Sequence, residues 1–200
     1  MKLPRLIVIT DWALDPATLL SRLAAALSLG PDVGVLHRHP GALGRRLLDE
    51  AHRVTELAAR FGNPVFVSGR LDVALLCSAH LHLPSRGLAV ADVRPNLPPG
   101  RWVSRSVHDA AEGKAATGAD LALVAPLFPA GSKVGDARPP LGARGFFELA
   151  RDLPCPAYAL GGIGPANAAL VAGARGAAAI SSVLHAADPK AAAAAILAAL

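Results

Sequence analysis

Residues Arg5–Leu20 read RLIVITDWALDPATLL. The first six residues, Arg5–Thr10, form an apolar run of the kind found in a strand buried on both faces. After four intervening residues Asp15-Pro16 supplies an N-cap and a proline suited to the first helical position. Leu19, Leu20, Leu23 and Leu27 then recur at helical spacing. A strand therefore passes straight into a helix. The turn between them, Asp11-Trp12-Ala13-Leu14, contains no glycine. A doubly wound dinucleotide fold would place a Gly-x-Gly-x-x-Gly turn there.

The same unit repeats along the chain. Strands are expected at Val33–His37, Pro64–Val67, Ala79–Leu83, Arg101–Val107, Leu121–Leu127, Ala157–Leu160 and Ala177–Ile180. Helices follow them: one carrying Leu47, Leu48, Ala51, Val54, Ala58 and Phe61 on one face, then Asp72–Ser78, Leu88–Arg94, Asp109–Thr117, Ala143–Arg151, Pro165–Gly173, and a last one capped by Asp188-Pro189. Eight β–α pairs imply a parallel sheet, and that number favours closure into a single (β/α)8 TIM barrel spanning residues 1–200. The chain has 200 residues, against about 250 typical of this barrel, so its loops must be short. Hydrophobic residues make up 52% and aromatics only 4%, so the core must be aliphatic.

The formal net charge is +5, which favours an anionic partner. The arginines are scattered, and stacking aromatics are scarce, which argues against nucleic acid. Cys77 and Cys155 lie far apart in apolar settings, without metal spacing, and read as buried free thiols of a reducing compartment. No secretory core and no membrane-length apolar run occur. The expectation is a cytoplasmic protein without membrane contact. The sequence leaves the oligomeric state open, a homo-oligomer included.

Function in this fold sits at the C-terminal ends of the strands. After strand seven comes Gly161-Gly162-Ile163-Gly164-Pro165, where adjacent glycines allow close backbone approach and a helix start offers free N–H groups. After strand eight come Ser181 and Ser182. These two loops are the usual phosphate site of the barrel. The expected partner is therefore a phosphorylated small molecule. The long sixth loop, Phe128–Leu141, carries Ser132 and Lys133, the lysine a point charge for an anionic substrate or leaving group. Ser106 and His108, at the end of strand five, complete a polar cluster. His37 and His39 lie two apart at the end of strand two, as do His80 and His82 in strand four, so each pair shares a face. A His-based metal site is weighed and set aside, because Asp11 is the sole carboxylate at a strand end beside these imidazoles.

Several stretches resemble thiamine-phosphate synthase and its relative TenI, a thiazole tautomerase. They are IVITD (Ile7–Asp11), SGRLDVAL (Ser68–Leu75), SVHD (Ser106–Asp109), GADLALVAPLFPAGSK (Gly118–Lys133), PLG (Pro140–Gly142) and ALGGIGPANAALVAGARGAAAISSVLHAADP (Ala159–Pro189). The resemblance implies a barrel that couples a pyrimidine methyl pyrophosphate to a thiazole phosphate through a pyrimidine carbocation, with Mg2+ and basic groups holding the departing pyrophosphate. It implies that Gly161, Gly162 and Ser181 hold the thiazole phosphate. Ser106, Ser132 and Lys133 match residues that touch pyrophosphate or substrate.

The other half of the pattern departs. The family's Gln-x-Arg-x-Lys run after strand two is expected at Val35, His37 and His39. Its Asn-Asp pair falls on Ser68-Gly69, and its Mg2+ aspartate after strand four on Gly87. Both metal carboxylates are thus absent, and no cofactor follows from the residues themselves. The key histidine of TenI falls on Pro126, so a tautomerase would have to draw its acid or base from His37, His39, His82 or His108. Three readings stand: an enzyme of this group, with Lys133, Ser106, His37 and His39 as the catalytic candidates; a non-catalytic binder of thiazole phosphate or thiamine phosphate; and a different phosphate-handling barrel, such as a sugar-phosphate isomerase, for which no Glu or Asp pair is evident.

Overall fold

The computed structural model describes residues 2–129 and 138–200. Eight parallel strands run β1 (Leu6–Ile9), β2 (Val33–His37), β3 (Val65–Ser68), β4 (His80–Leu83), β5 (Val103–Val107), β6 (Leu121–Val124), β7 (Ala157–Leu160) and β8 (Gly176–Ala179). Each pairs with its sequence neighbour, and β8 pairs with β1 (Leu6 opposite Ala177), closing the barrel. The expected (β/α)8 architecture is therefore the observed one.

Alternation along each strand divides the apolar residues into two sets. Ile7, Ile9, Leu36, Phe66, Leu121, Leu123, Tyr158 and Ala178 pack against one another inside the barrel. Val8, Val35, Val67, Ala122 and Ala177 belong to the outer cluster, shared with the helices. The interior is graded by volume. Tyr158 on β7 stands opposite Gly176 on β8. A Cβ at Gly176 would lie 2.4 Å from Tyr158 Cε1 and 2.5 Å from the Arg5 carbonyl oxygen. The tyrosine hydroxyl donates to the Pro4 carbonyl at the floor of the barrel. Gly176→Ala is expected to destabilise the fold by about 3 kcal/mol, because backbone and ring must both move. Thermal melting should register this as a fall of roughly 10 °C. An unchanged melting temperature would mean that the barrel floor is looser than this packing.

The helices flank the strands: α1 (Pro16–Leu27), α2 (Gly44–Ala59), α3 (Leu71–Leu76), α4 (Val90–Val93), α5 (Ala110–Lys114), α6 (Gly142–Arg151), α7 (Ser181–Leu184) and α8 (Pro189–Ala199). The Asp15 carboxylate accepts from the N–H groups of Ala17 (3.1 Å) and Thr18 (3.0 Å). Asp188 caps α8 by accepting from Ala191 N–H at 3.0 Å. Both Asp-Pro starts thus act as read.

Three expectations need correction. The helix anticipated over 165–173 is a single 3-10 turn, Ala168–Val171. Asn167 stands at φ −134°, outside helical geometry, with its side chain accepting from Gly164 N–H and donating to the Gly162 carbonyl. Ser181 and Ser182 are not loop residues but open the single turn α7. Cys77 and Cys155 are free thiols but only half-buried; burial pushes the Cys155 thiol up to about 11, aided by the nearby Asp120 charge. Among the described residues no helix is long and apolar enough to cross a membrane.

Candidate functional site

The C-terminal ends of the strands open onto two adjoining cavities. The first, about 320 Å³, is walled by Gly161, Gly162 and Ile163 after β7 and by Ile180, Ser181 and Ser182 after β8. Gly161 and Gly162 have φ of +104° and +65°, a region that favours glycine. Added Cβ atoms there would approach the Leu127 nitrogen to 3.0 Å and the Pro129 oxygen to 2.7 Å. Both glycines are therefore required by the close passage of the sixth loop. The N–H groups of Gly162, Ile163, Ser181 and Ser182 donate to no atom of the described residues. Ile163 is buried and Ser182 half-buried, while Gly162 and Ser181 are exposed at the cavity; four open N–H groups lining one cavity suit an anion such as phosphate. The two serines differ. Ser182 Oγ donates to the Ile163 carbonyl and so ties the two loops together. Ser181 Oγ has no such bond among the described residues, and Ser181 is exposed at the cavity.

The second cavity, about 390 Å³, shares Pro129, Leu160, Gly161 and Ile180 with the first. Its wall is mostly apolar, with Ile9, Leu36, Leu123 and Phe128. The polar exceptions are Arg38, His82, Ser106 and Arg138. Inside it the His82 ring contacts Ser104 Oγ through Nδ1 (2.8 Å) and Ser106 Oγ through Nε2 (3.0 Å). Burial lowers the His82 pKa to about 3, with the Arg38 and Arg105 charges adding to the effect. The ring is thus neutral at physiological pH and holds the Ser106 hydroxyl in place.

The histidines of strand two do not reach either cavity, which corrects the expectation for His37 and His39. Leu36 and Arg38 point to the mouth, so their neighbours point to the helices. His37 is 1% exposed. Its ring lies edge-on to Trp12, and neither ring nitrogen has a hydrogen-bond partner among the described residues. Burial lowers its pKa to about 4. His39 stacks on Trp12 and pairs through Nδ1 with Glu50 of α2 at 2.8 Å. Arg38, between the two histidines in sequence, is the charged residue of this segment that lines the second cavity. Arg38 is the residue that sequence reasoning missed.

His108 lines neither cavity. Its Nδ1 lies 2.6 Å from Glu112 Oε2, and Asp109 caps α5 beside it. Ser132 and Lys133 lie outside the described residues. Pro126 lines the second cavity and offers no proton-transfer group.

Mg2+ is bound through carboxylates and other hard oxygens. The positions where the resemblance implies its ligands are Gly69 and Gly87. Gly69 has φ +71°, and a Cβ at Gly87 would lie 3.0 Å from the Pro84 carbonyl oxygen. Among the described residues no group of three or more His, Cys, Asp or Glu side chains is placed to hold a metal ion. Asp11, at the end of β1, is bonded to His185 Nε2 at 2.9 Å. The described residues do not fit a Mg2+ site.

A family model described as thiamine monophosphate synthase matches residues 6–183. The thiamine-phosphate synthase of Methanoculleus marisnigri is 39% identical over 196 residues, covering 94% of this chain and 91% of its own. That of Chloroflexus aurantiacus is 36% identical over 194 residues, covering 94% and 89%. Among solved structures, thiamine phosphate pyrophosphorylase from Pyrococcus furiosus superposes with a TM-score of 0.83 at 27% identity, covering 98% of this chain and 95% of that one. A 3-hexulose-6-phosphate synthase matches with a TM-score of 0.70 at 19% identity, which is likeness of fold alone.

Proposed function

The chain belongs to the thiamine monophosphate synthase family, and from that premise we propose that it binds a thiazole phosphate and joins it to a pyrimidine methyl pyrophosphate to give thiamine phosphate. The observation that carries the proposal is the pair of lobes with a common wall. One is lined by open backbone donors and a free serine hydroxyl, and the other is apolar with a guanidinium at its rim. A phosphorylated ring seated by its phosphate in the first lobe would project its reacting atom toward the second.

In this reading Gly162, Ile163, Ser181 and Ser182 donate N–H bonds to the phosphate, and Ser181 adds its hydroxyl. The apolar wall of the second lobe excludes water from a cationic pyrimidine that would otherwise be captured by it. The bond from the pyrimidine methylene carbon to the pyrophosphate oxygen breaks, with both electrons leaving on oxygen. A ring nitrogen of the thiazole forms the new bond to that carbon. Arg38 lies where the departing charge develops. Ser106, held by the neutral His82, offers the pyrimidine a fixed hydrogen-bonding partner.

The tautomerase alternative finds less support. His82 is the one imidazole lining the cavities among the described residues, both its nitrogens are engaged, and it is too weakly basic to accept a proton at neutral pH.

Thiazole phosphate at about 100 times its dissociation constant should stabilise the protein by roughly 2.7 kcal/mol. Addition of the pyrimidine pyrophosphate should then yield thiamine phosphate, measured by chromatography with and without Mg2+. Stabilisation without product would mean a binding protein rather than an enzyme. Absence of both would remove the proposal.

A further inference from the structure

The mouth above β2, β3 and β4 is cationic. Arg38 lines the larger cavity and forms no ion pair with a carboxylate of the described residues. Behind it Arg105 on β5 is only 6% exposed. Its guanidinium donates to the carbonyls of Leu88 (2.8 Å) and Ser85 (3.1 Å), which anchors the loop between β4 and α4. A fixed positive charge thus stands beneath the segment that contains Gly87. The nearby acids are committed: Asp11 to His185, Glu112 to His108, and Glu50 to His39 and Arg46. A divalent cation brought here would meet like charge and, among the described residues, no open carboxylate. An anion would meet a guanidinium that stays charged at every working pH and can take phosphate oxygens two at a time.

We propose that this chain holds the diphosphate end of its second ligand directly on the Arg38 guanidinium, without a divalent cation. The proposal rests on the two-lobed reading above, and it names how the second lobe recognises its anion.

The test is calorimetric titration of the full chain with inorganic pyrophosphate, first in EDTA and then with Mg2+. Binding should be present in EDTA. It should not tighten with Mg2+, which sequesters pyrophosphate in solution. Arg38→Ala should weaken it about tenfold or more, the effect of losing a charge-assisted pair. Arg38→Lys, which keeps the charge but not the fork, should fall between the two. Circular dichroism of each variant controls for folding. Binding that requires Mg2+, that tightens tenfold with it, or that ignores Arg38→Ala would overturn the proposal, as would no binding at all. The thiazole phosphate melting shift, read on the same preparation, reports the first lobe alone. Failure there with metal-free pyrophosphate binding intact counts against the proposed reaction and not against this anion site.

Discussion

Gly162→Ala is expected to weaken thiazole phosphate binding by one to two orders of magnitude while the barrel stays folded. The residue sits at φ +65°, and the new methyl would stand 2.7 Å from the Pro129 oxygen and 2.9 Å from Phe128 Cβ. An alanine in this conformation is strained by about 1 kcal/mol. The sixth loop must also retreat, or the β7 loop must turn its N–H away from the cavity. Either movement disturbs at least one donor to the phosphate. A charge-assisted hydrogen bond contributes about 1.5–3 kcal/mol, which is roughly 10- to 100-fold in affinity. Titration with thiazole phosphate, together with a melting curve, separates the site from the fold. The position is exposed and outside the strands, so the melting temperature should move by only a few degrees. Native affinity in the variant would show that the glycine pair is merely a turn.

Acidification should unfold the protein well above the pH at which its carboxylates titrate. His37, His80 and His82 are 1%, 2% and 4% exposed. Burial is the leading cause that lowers their pKa values to about 4, about 4 and about 3 respectively. In the unfolded chain each returns to about 6.5. Between those values the unfolded state binds the protons and the native state does not, so stability rises with pH. The destabilisation begins as pH falls through about 6.5 and grows until the folded pKa values are reached. At about pH 5 each imidazole removes roughly 2 kcal/mol relative to pH 8. Three together approach 6 kcal/mol, against a total of about 5–15 for a typical domain. Urea denaturation at a series of pH values tests this. Midpoints that hold constant from pH 8 to 5 would refute it. Replacing His37 by phenylalanine, with no nitrogen to protonate, should reduce the slope by about one proton's worth.

The fold was legible because its signals are local. Apolar runs separated by capped helix starts place the strands, and the Asp15-Pro16 and Asp188-Pro189 starts lie where they were read. The segment 165–173 failed because Asn167, at φ −134°, leaves helical geometry while its side chain binds back to the Gly162 carbonyl and the Gly164 N–H. The first cavity was foreshadowed by its glycines, since adjacent positive φ values leave few other residues possible. The opposite half of the mouth was not. Alternation tells which residues share a face and is silent on which face looks inward. β2 reads VGVLH and is buried throughout, so no polar–apolar contrast marks the side of the barrel. A shift of one residue then exchanges His37 and His39 for Leu36 and Arg38.

The aromatic floor has a consequence for traffic. His80 stacks on Trp102 at 4.3 Å, Phe66 lies 5.0 Å from His80, and Tyr158 is pinned to Pro4. That layer stoppers the N-terminal end, so the barrel is a vessel with one opening rather than a tunnel. Whatever enters either lobe must arrive and depart through the same doorway, past the same loops. In the proposed reaction both ligands would use that opening, and the packed side chains at the bottom of the barrel, which line neither cavity, leave them no second one.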